Sequence, residues 1–283
     1  MNNRWQQDPS IKSDWYIDFF DALVADFWQG SISDACTEKE VSFLLKQFGQ
    51  PETASCLLDL MCGAGRHIPA LAEAGFALTG LDVSQDMLQH AKTACQNLPS
   101  VSFFRADGLD LPSILGETPR YDGAFCLGNS LGYLDASGMQ RMLGGVSQLL
   151  KPGARLVLHS SVVAETLFSH WDGKMEMVAG GVRAYIENTA YDSMQSRVFT
   201  KFILRRELDF VEEEADASDA QASTSPPEGK NVLIAHYVYT TGEISRWLSA
   251  FGVLPVAFYG DCDGGRFELG ESEHWYGVFE KQG

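Results

Sequence analysis

The chain has 283 residues, 45% of them hydrophobic, which suffices for one large α/β domain with an elaboration or for two domains. Its net charge of −17 argues against nucleic acid and, more weakly, against anionic membrane surfaces, because both kinds of partner need a basic face. Six cysteines without a Cys-x-x-Cys pair, no long apolar run and no N-terminal leader predict a cytoplasmic protein with reduced thiols, no membrane segment and no metal site.

The first fifty residues predict a helical cap made of two amphipathic helices. "WYIDFFDALVADFW", residues 15–28, places aromatic and aliphatic side chains on one face at helical spacing. "TEKEVSFLLKQFGQP", residues 37–51, predicts a second helix, with Thr37 and Glu40 as a capping box and a stop at Gly49.

From residue 55 onward, short apolar strands alternate with helices. The predicted strands are "CLLDL", "FALTGLD", "VSFFRAD", "YDGAFCLGNS" and "ARLVLHSS". Strands that alternate with helices at this spacing predict a parallel, doubly wound sheet. Ligands of such sheets bind at the carboxyl ends of the strands, so those ends are where we expect the site.

After residue 170 the pattern changes to extended segments with hairpin turns at Gly180-Gly181 and Asp192-Ser193. An acidic stretch at 209–230 predicts a mobile loop between two antiparallel strands, and a helix and two strands then complete the core.

We therefore predict an α/β fold with a mostly parallel, doubly wound, seven-stranded sheet and a small antiparallel β insertion after strand five. The expected boundaries are 1–50 for the cap, 51–169 and 240–283 for the core, and 170–239 for the insertion. The insertion could also supply the interface of a homodimer.

The loop after the first strand, "DLMCGAGRH" at 59–67, resembles a dinucleotide-binding turn with one glycine missing. Gly63 and Gly65 are present, but Ile68 stands where a third glycine would be. Asp59 precedes the glycines, and a carboxylate there would repel a pyrophosphate but suit a positively charged group. The cofactor that fits this loop is S-adenosylmethionine.

Five segments in order then resemble the class I (Rossmann-like) S-adenosylmethionine-dependent methyltransferases: "LDLMCGAGRH", the strand end "LTGLD", "RADGLDL", "YDGAFCLGNSLGYL" and "LLKPGARLVL". The resemblance implies that Asp82 binds the ribose hydroxyls, that the segment around Asp107 contacts the adenine and that the fourth motif flanks the methionine part. The cofactor-binding residues that we predict are Asp59, Cys62, Gly63, Gly65, Arg66, Asp82, Val83, Met87, Asp107, Gly108, Leu127 and Asn129.

Several of these residues also have a purely structural interpretation. Asp82 could cap the next helix, although Ser84 would cap it equally well. Cys62 could be a small packing residue, and Arg66 could be an ordinary surface arginine instead of a partner of the cofactor carboxylate. His67 is better explained as a packing or capping residue than as an acid–base group.

Methyl transfer from a sulfonium is an in-line displacement in which the protein mainly aligns the reactants, so no nucleophile triad is needed. Candidates near the methyl group are Tyr16 on the cap, Tyr133 after strand four and His159 at the end of strand five. A core role for Tyr16 and a hydrogen-bonded structural role for His159 remain open alternatives. His236 and Tyr237 of the insertion are further candidates.

The architecture resembles the small-molecule N-methyltransferases that act on amino sugars and glycine, which favours a small amine as the acceptor. Two departures are the loop "CGAGRH", which lacks the usual threonine, and the acidic stretch at 209–230. O-methylation, protein methylation, a non-catalytic binding role and, more remotely, an NAD-dependent oxidoreductase are the competing hypotheses.

Overall fold

The computed structural model describes residues 11–51, 55–171, 174–206 and 229–283. Eleven strands lie in these ranges: β1 (Cys56–Leu60), β2 (Ala77–Asp82), β3 (Val101–Arg105), β4 (Tyr121–Cys126), β5 (Leu150–Ser160), β6 (Lys174–Ala179), β7 (Val182–Asp192), β8 (Arg197–Arg206), β9 (Gly229–Tyr237), β10 (Val253–Tyr259) and β11 (Trp275–Lys281).

Seven strands form one sheet in the order β10-β11-β5-β4-β1-β2-β3. β11 runs antiparallel to both of its neighbours, and the other strand pairs are parallel. This confirms the predicted mostly parallel, doubly wound sheet. The strand order reverses between β4 and β1, and the carboxyl ends of strands at such a switch point form a crevice for a ligand.

Nine α-helices are described: α1 (Tyr16–Phe19), α2 (Ala22–Ser31), α3 (Asp34–Phe48), α4 (Ile68–Glu73), α5 (Gln85–Ala94), α6 (Leu111–Leu115), α7 (Ala136–Leu149), α8 (Ala164–Leu167) and α9 (Thr241–Ala250). A 3₁₀ turn follows β4 at Ser130–Tyr133. In the described part of the chain, no helix combines the length and the apolar character that a membrane crossing requires.

The single helix predicted for residues 15–28 is wrong, because the chain breaks there into α1 and α2. The Asp21 side chain accepts a hydrogen bond from the Val24 N–H (3.1 Å) and so caps α2. Lys230 Nζ of β9 binds the Phe19 carbonyl (2.6 Å) and the Asp21 carboxylate (2.8 Å). An aspartate that caps a new helix competes with the continuation of the old one, and the lysine holds the break in place.

The predicted Thr37–Glu40 capping box is also wrong. The helix α3 starts earlier, at Asp34, and Ser33 caps it by accepting from the Cys36 N–H (3.2 Å). Its predicted end is confirmed at Gly49, whose positive φ of 76° suits glycine. Glu40 therefore does not cap α3, and its side chain is buried in the protein.

A second sheet contains the antiparallel strands β6-β7-β8-β9, and both predicted hairpin turns are confirmed. Residues 207–228, which include nearly all of the predicted acidic loop, lie outside the described residues. The strands on either side of them, β8 and β9, pair antiparallel as expected. The domain boundaries given above stay predictions.

The cap packs directly on this second sheet. A Cβ at Gly30 of α2 would overlap the backbone nitrogen of Gly180, and a Cβ at Gly180 would overlap the Asp26 carbonyl. Arg206 of β8 pairs with Asp26 at 2.8 Å. The backbones of α2 and of the β6–β7 turn therefore meet closely, which only glycine at both positions allows.

Candidate functional site

The glycine loop curls at the carboxyl end of β1 through three left-handed residues. Met61, Gly63 and Gly65 have φ of 54°, 55° and 70°. The Cys62 N–H donates to the Leu81 carbonyl of β2 (2.9 Å), which ties the loop to the neighbouring strand. A Cβ on Gly63 would meet no atom within 4 Å, so this side of the loop faces open space.

Asp59 is a buried acid without a complete set of partners. Its side chain lies inside the sheet with 2% of its surface exposed, and its Oδ2 has no hydrogen-bond partner. Burial raises the pKa of this carboxyl well above the usual value. A cationic ligand at the loop would supply the missing partner, so Asp59 fits a cofactor that carries an ammonium or sulfonium group.

Asp82 closes the other side of the loop, at the end of β2. Its Oδ2 accepts from the Gly63 N–H and its Oδ1 from the Ser84 N–H, both at 2.8 Å. Ser84 itself caps α5 by accepting from the Met87 N–H (3.2 Å). Burial raises the pKa of Asp82. Each carboxylate oxygen keeps a second lone pair, so the ribose contact stays a prediction that this geometry permits.

The remaining predicted cofactor residues lie on the loops after β2, β3 and β4, except Met87, which lies in the first turn of α5. Val83 is half-buried and Met87 is buried. Asp107 accepts from the Leu109 N–H (3.0 Å), and Gly108 has a φ of 74°. These contacts shape the loops, and the adenine assignment stays a prediction.

The loop after β4 is fixed through Asn129, while Leu127 is buried. Asn129 Oδ1 accepts from both the N–H and the hydroxyl of Ser161, each at 2.9 Å. The loop that carries the fourth motif is thereby bound to the end of β5.

Sequence reasoning missed Glu40 as part of this region. Glu40 is 3% exposed, and its Oε2 receives Arg66 Nη1 and His67 Nε2, the latter at 2.9 Å. The Tyr276 hydroxyl lies 3.4 Å from its other oxygen. Burial alone would raise the pKa of Glu40, but hydrogen bonds from His67 and Arg66 outweigh it and lower the pKa to about 2. The available signal was the position of Glu40 beside Val41 and one turn before Leu44, on the apolar face of its helix.

Arg66 and His67 are therefore turned toward the cap. Arg66 Nη1 also donates to the Thr37 hydroxyl (3.1 Å). His67 is buried against the Phe125 ring at 5.8 Å, and burial lowers its pKa, so a neutral ring donates from Nε2 to Glu40. His67 is a packing residue, as expected, and the contact between Arg66 and the cofactor carboxylate stays a prediction.

Two of the three predicted catalytic residues meet in an aromatic cluster formed by Trp15, Tyr16, Phe20, Tyr133 and His236. Tyr16 and Tyr133 are stacked with ring centroids 5.8 Å apart, and His236 and Trp15 lie 5.4 and 5.1 Å from Tyr133. The Ser84 hydroxyl donates to the Phe20 carbonyl (2.8 Å). The cap thus places the aromatic cluster next to Ser84, two residues after Asp82.

The polar atoms of this cluster are uncharged at neutral pH. Burial and the nearby Asp107 raise the pKa of Tyr16, and burial raises that of Tyr133. Burial lowers the pKa of His236 to about 4, and its Nδ1 has no hydrogen-bond partner. The cluster can donate and accept hydrogen bonds, but none of the three groups is poised as a base near pH 7.

His159 lies apart from the aromatic cluster, and both of its ring nitrogens are engaged. Nδ1 accepts from the Gly128 N–H (3.0 Å), so the proton is on Nε2, which donates to His274 Nδ1 (3.2 Å). The ring stacks on Tyr276 at 4.3 Å, and burial lowers its pKa to about 3. This geometry supports the structural alternative for His159.

Residues 57–153 match a family model described as "Methyltransferase domain". The chain is 33% identical over 102 residues to a demethylmenaquinone methyltransferase of Tropheryma whipplei (strain Twist), over 36% of this chain and 40% of that protein. It is 28% identical over 146 residues to a dTDP-3-amino-3,4,6-trideoxy-alpha-D-glucopyranose N,N-dimethyltransferase of Streptomyces venezuelae, over 51% and 58%. The chain thus spans about half the length of these curated relatives.

The fold is similar to that of CalS10, an amino pentose methyltransferase of Micromonospora echinaspora solved with bound S-adenosylmethionine. The TM-score is 0.63 at 19% identity, over 90% of this chain and 94% of CalS10. The strand order, the glycine loop and the family match agree with one another. Residues 57–153 therefore carry the methyltransferase domain that the family model describes, and the fold is similar to that of a methyltransferase solved with bound S-adenosylmethionine.

Proposed function

We propose that this protein transfers the methyl group of S-adenosylmethionine to the nitrogen of a small amine. The observation that carries the proposal is Asp59, a buried carboxyl with a partnerless oxygen at the end of β1, directly before a glycine loop that faces open space. A buried acid without a partner is costly for the ligand-free protein, and such a cost is commonly kept where a ligand needs the group.

When bound, S-adenosylmethionine supplies a methyl group on a sulfonium, which needs no further activation as a leaving group. The chain's own residues then have to hold the cofactor and orient the acceptor. Asp59 offers a carboxylate to a positive group, Gly63 leaves room for close approach of the ligand to the backbone, and Asp82 rigidifies the loop. Correct alignment of this kind is worth several orders of magnitude in rate.

The aromatic cluster is the proposed acceptor end of the site. Its rings exclude water and attract a positively charged or polarised amine through their faces. Tyr16 and Tyr133 stay protonated at neutral pH and can only donate or accept hydrogen bonds, and His159 is held by Gly128 and His274. We therefore assign no general base, and the amine proton leaves to water.

Two further facts favour an amine over a phenol or a carboxylate. The chain carries 38 acidic against 21 basic residues, which tolerates a cationic acceptor and disfavours an anionic one. The similar proteins described above include an N,N-dimethyltransferase and an amino pentose methyltransferase.

A matched screen tests the acceptor class. Amines, alcohols and carboxylates with the same carbon skeleton, together with simple phenols, are incubated with S-adenosylmethionine while S-adenosylhomocysteine release is followed. We expect turnover with the amines and none with the matched alcohols. Turnover on phenols alone would refute N-methylation, and tighter binding of NAD than of S-adenosylmethionine would refute the cofactor.

The homodimer also stays a proposal. Met175 and Val178 of β6 are about half exposed (51% and 49%), one on each face of an edge strand of the second sheet. Sedimentation of the chain and of Val178→Lys would test it: a dimer that persists in the variant excludes this edge.

A further inference from the structure

Three acids, Glu40, Asp59 and Asp82, lie around the glycine loop, and the arginine of the loop, Arg66, pairs with Glu40. Arg66 Nη1 contacts the Glu40 carboxylate of α3. Among the described residues, no ion pair within 4.0 Å joins Arg66 to Asp59, although Asp59 is close enough for the arginine charge to affect its carboxyl. Asp59 keeps a partnerless oxygen instead.

The contacts around Glu40 explain this choice. Its carboxylate gathers three donors: Arg66, His67 at 2.9 Å and the Tyr276 hydroxyl at 3.4 Å. Arg66 is also held by the Thr37 hydroxyl, one helical turn before Glu40 (3.1 Å). Charge-assisted hydrogen bonds that share one carboxylate fix the guanidinium in direction as well as in position.

Holding Arg66 on the cap has a consequence for the ligand. A guanidinium released from Glu40 would be attracted to Asp59, whose Oδ2 has no partner and whose carboxyl already feels the charge of Arg66. It would then occupy the carboxylate that the ammonium group of the ligand needs and would also repel that ammonium group.

We infer that Glu40 is a positioning residue of the cofactor site: by retaining Arg66 it keeps the Asp59 carboxylate free for the ammonium-bearing part of the cofactor. This role rests on the proposed function, because it requires the cofactor to bind at this loop. Nothing in the sequence motifs assigns it, since Glu40 belongs to the cap and not to the five segments of the core.

Binding of two neutral-sulfur analogues separates this role from a structural one. S-adenosylhomocysteine carries the ammonium group, whereas 5′-methylthioadenosine has the same nucleoside without the amino-acid part. By calorimetry, we expect Glu40→Gln to weaken S-adenosylhomocysteine binding tenfold or more and to change 5′-methylthioadenosine binding by less than twofold. In an Arg66→Gln background, Glu40→Gln should have no further effect on either ligand.

The controls make each outcome decisive. Glu38→Gln, an exposed acid on the same helix, should bind both ligands like the wild type. Glu40→Asp, which keeps the charge but shortens the reach to Arg66, should show a smaller loss in the same direction and replaces Glu40→Gln if that variant does not fold. Equal weakening of both ligands, or an effect that persists without Arg66, would overturn the inference. A wild-type chain that binds neither ligand would instead refute the proposed function.

Discussion

The partnerless carboxyl of Asp59 should make the ligand-free protein less stable than a variant without that charge. In Asp59→Asn the side chain keeps its shape but no longer has to bury an ionised group. The side chain is 2% exposed and one of its oxygens has no partner, and an unsatisfied buried group of this kind costs about 1–3 kcal/mol. We expect the free energy of unfolding to rise by about that amount, or the melting temperature by roughly 2–4 °C per kcal/mol.

The pH dependence follows from the direction of the pKa shift. The pKa of Asp59 is raised in the folded state, so the folded protein holds this proton more tightly than the unfolded chain does. The favourable contribution is fully present below the unfolded pKa, near 4, and is lost as pH rises through the folded pKa. The stability advantage of Asp59→Asn should therefore be small near pH 4 and should grow toward neutral pH.

Urea unfolding at pH 4.5, 6.0 and 7.5, without and with S-adenosylhomocysteine, measures both halves of this prediction. The variant should gain stability without ligand and lose the additional stabilisation that the ligand gives the wild type. Glu117→Gln, an exposed acid on a surface loop, serves as the control for a lost surface charge. A ligand-free Asp59→Asn that is no more stable than the wild type at pH 7.5 would refute the reasoning, because the carboxyl would then already be compensated.

Three other predictions concern the loop, the cap and His159. Asp82→Ala removes the acceptor of the Gly63 N–H (2.8 Å) and should weaken cofactor binding by about 2–4 kcal/mol, at least ~30-fold by calorimetry; unchanged affinity would show that the ribose assignment is wrong. Gly30→Ala forces a Cβ into the Gly180 backbone and should cost about 2–3 kcal/mol of stability, which would lower the melting temperature by several degrees. A melting temperature within about 1 °C of the wild type would contradict the close contact between the cap and the second sheet. The pKa of His159 is lowered to about 3, so its ring stays neutral above that pH. The pH profiles of kcat/KM for the wild type and for His159→Gln should therefore be the same between about pH 5 and 9. A change in kcat/KM near pH 6.5 that only the wild type shows would mean that His159 is an acid–base group.

The residue pattern along the chain predicted those parts of the fold that depend on neighbouring residues. Alternating strands and helices predict the parallel sheet, and glycines at left-handed positions predict the turn after β1. Ser84 was already an alternative cap for α5, and the structure confirms it at 3.2 Å from the Met87 N–H. Where two local signals compete, as at Asp21, the hydrophobic period alone fails: the apolar face continues through residues 15–28, but a capping aspartate breaks the helix.

The contents of the site depended more on contacts between distant elements. Glu40 and His67, which share a hydrogen bond, are 27 residues apart in the sequence. The capping-box spacing of Thr37 and Glu40 does not show whether the Glu40 carboxylate bonds to its own helix or points into the core. The Trp15 indole that lines the aromatic cluster bonds to the Ala235 carbonyl, 220 residues away.

The sequence by itself predicted the place of the cofactor loop: Asp59, Gly63, Gly65 and Asp82 lie at or just after the ends of the adjacent strands β1 and β2, because the βαβ pattern puts them there. Only the tertiary structure decided which of these groups are free. In the structure Arg66 pairs with Glu40, and the two ring nitrogens of His159 bond to Gly128 and His274. A side chain with several possible partners pairs with the one whose surroundings offer the most hydrogen bonds. Which partner such a side chain takes depends on the packing of elements that are distant in the sequence, and the spacing of residues along the chain does not predict it.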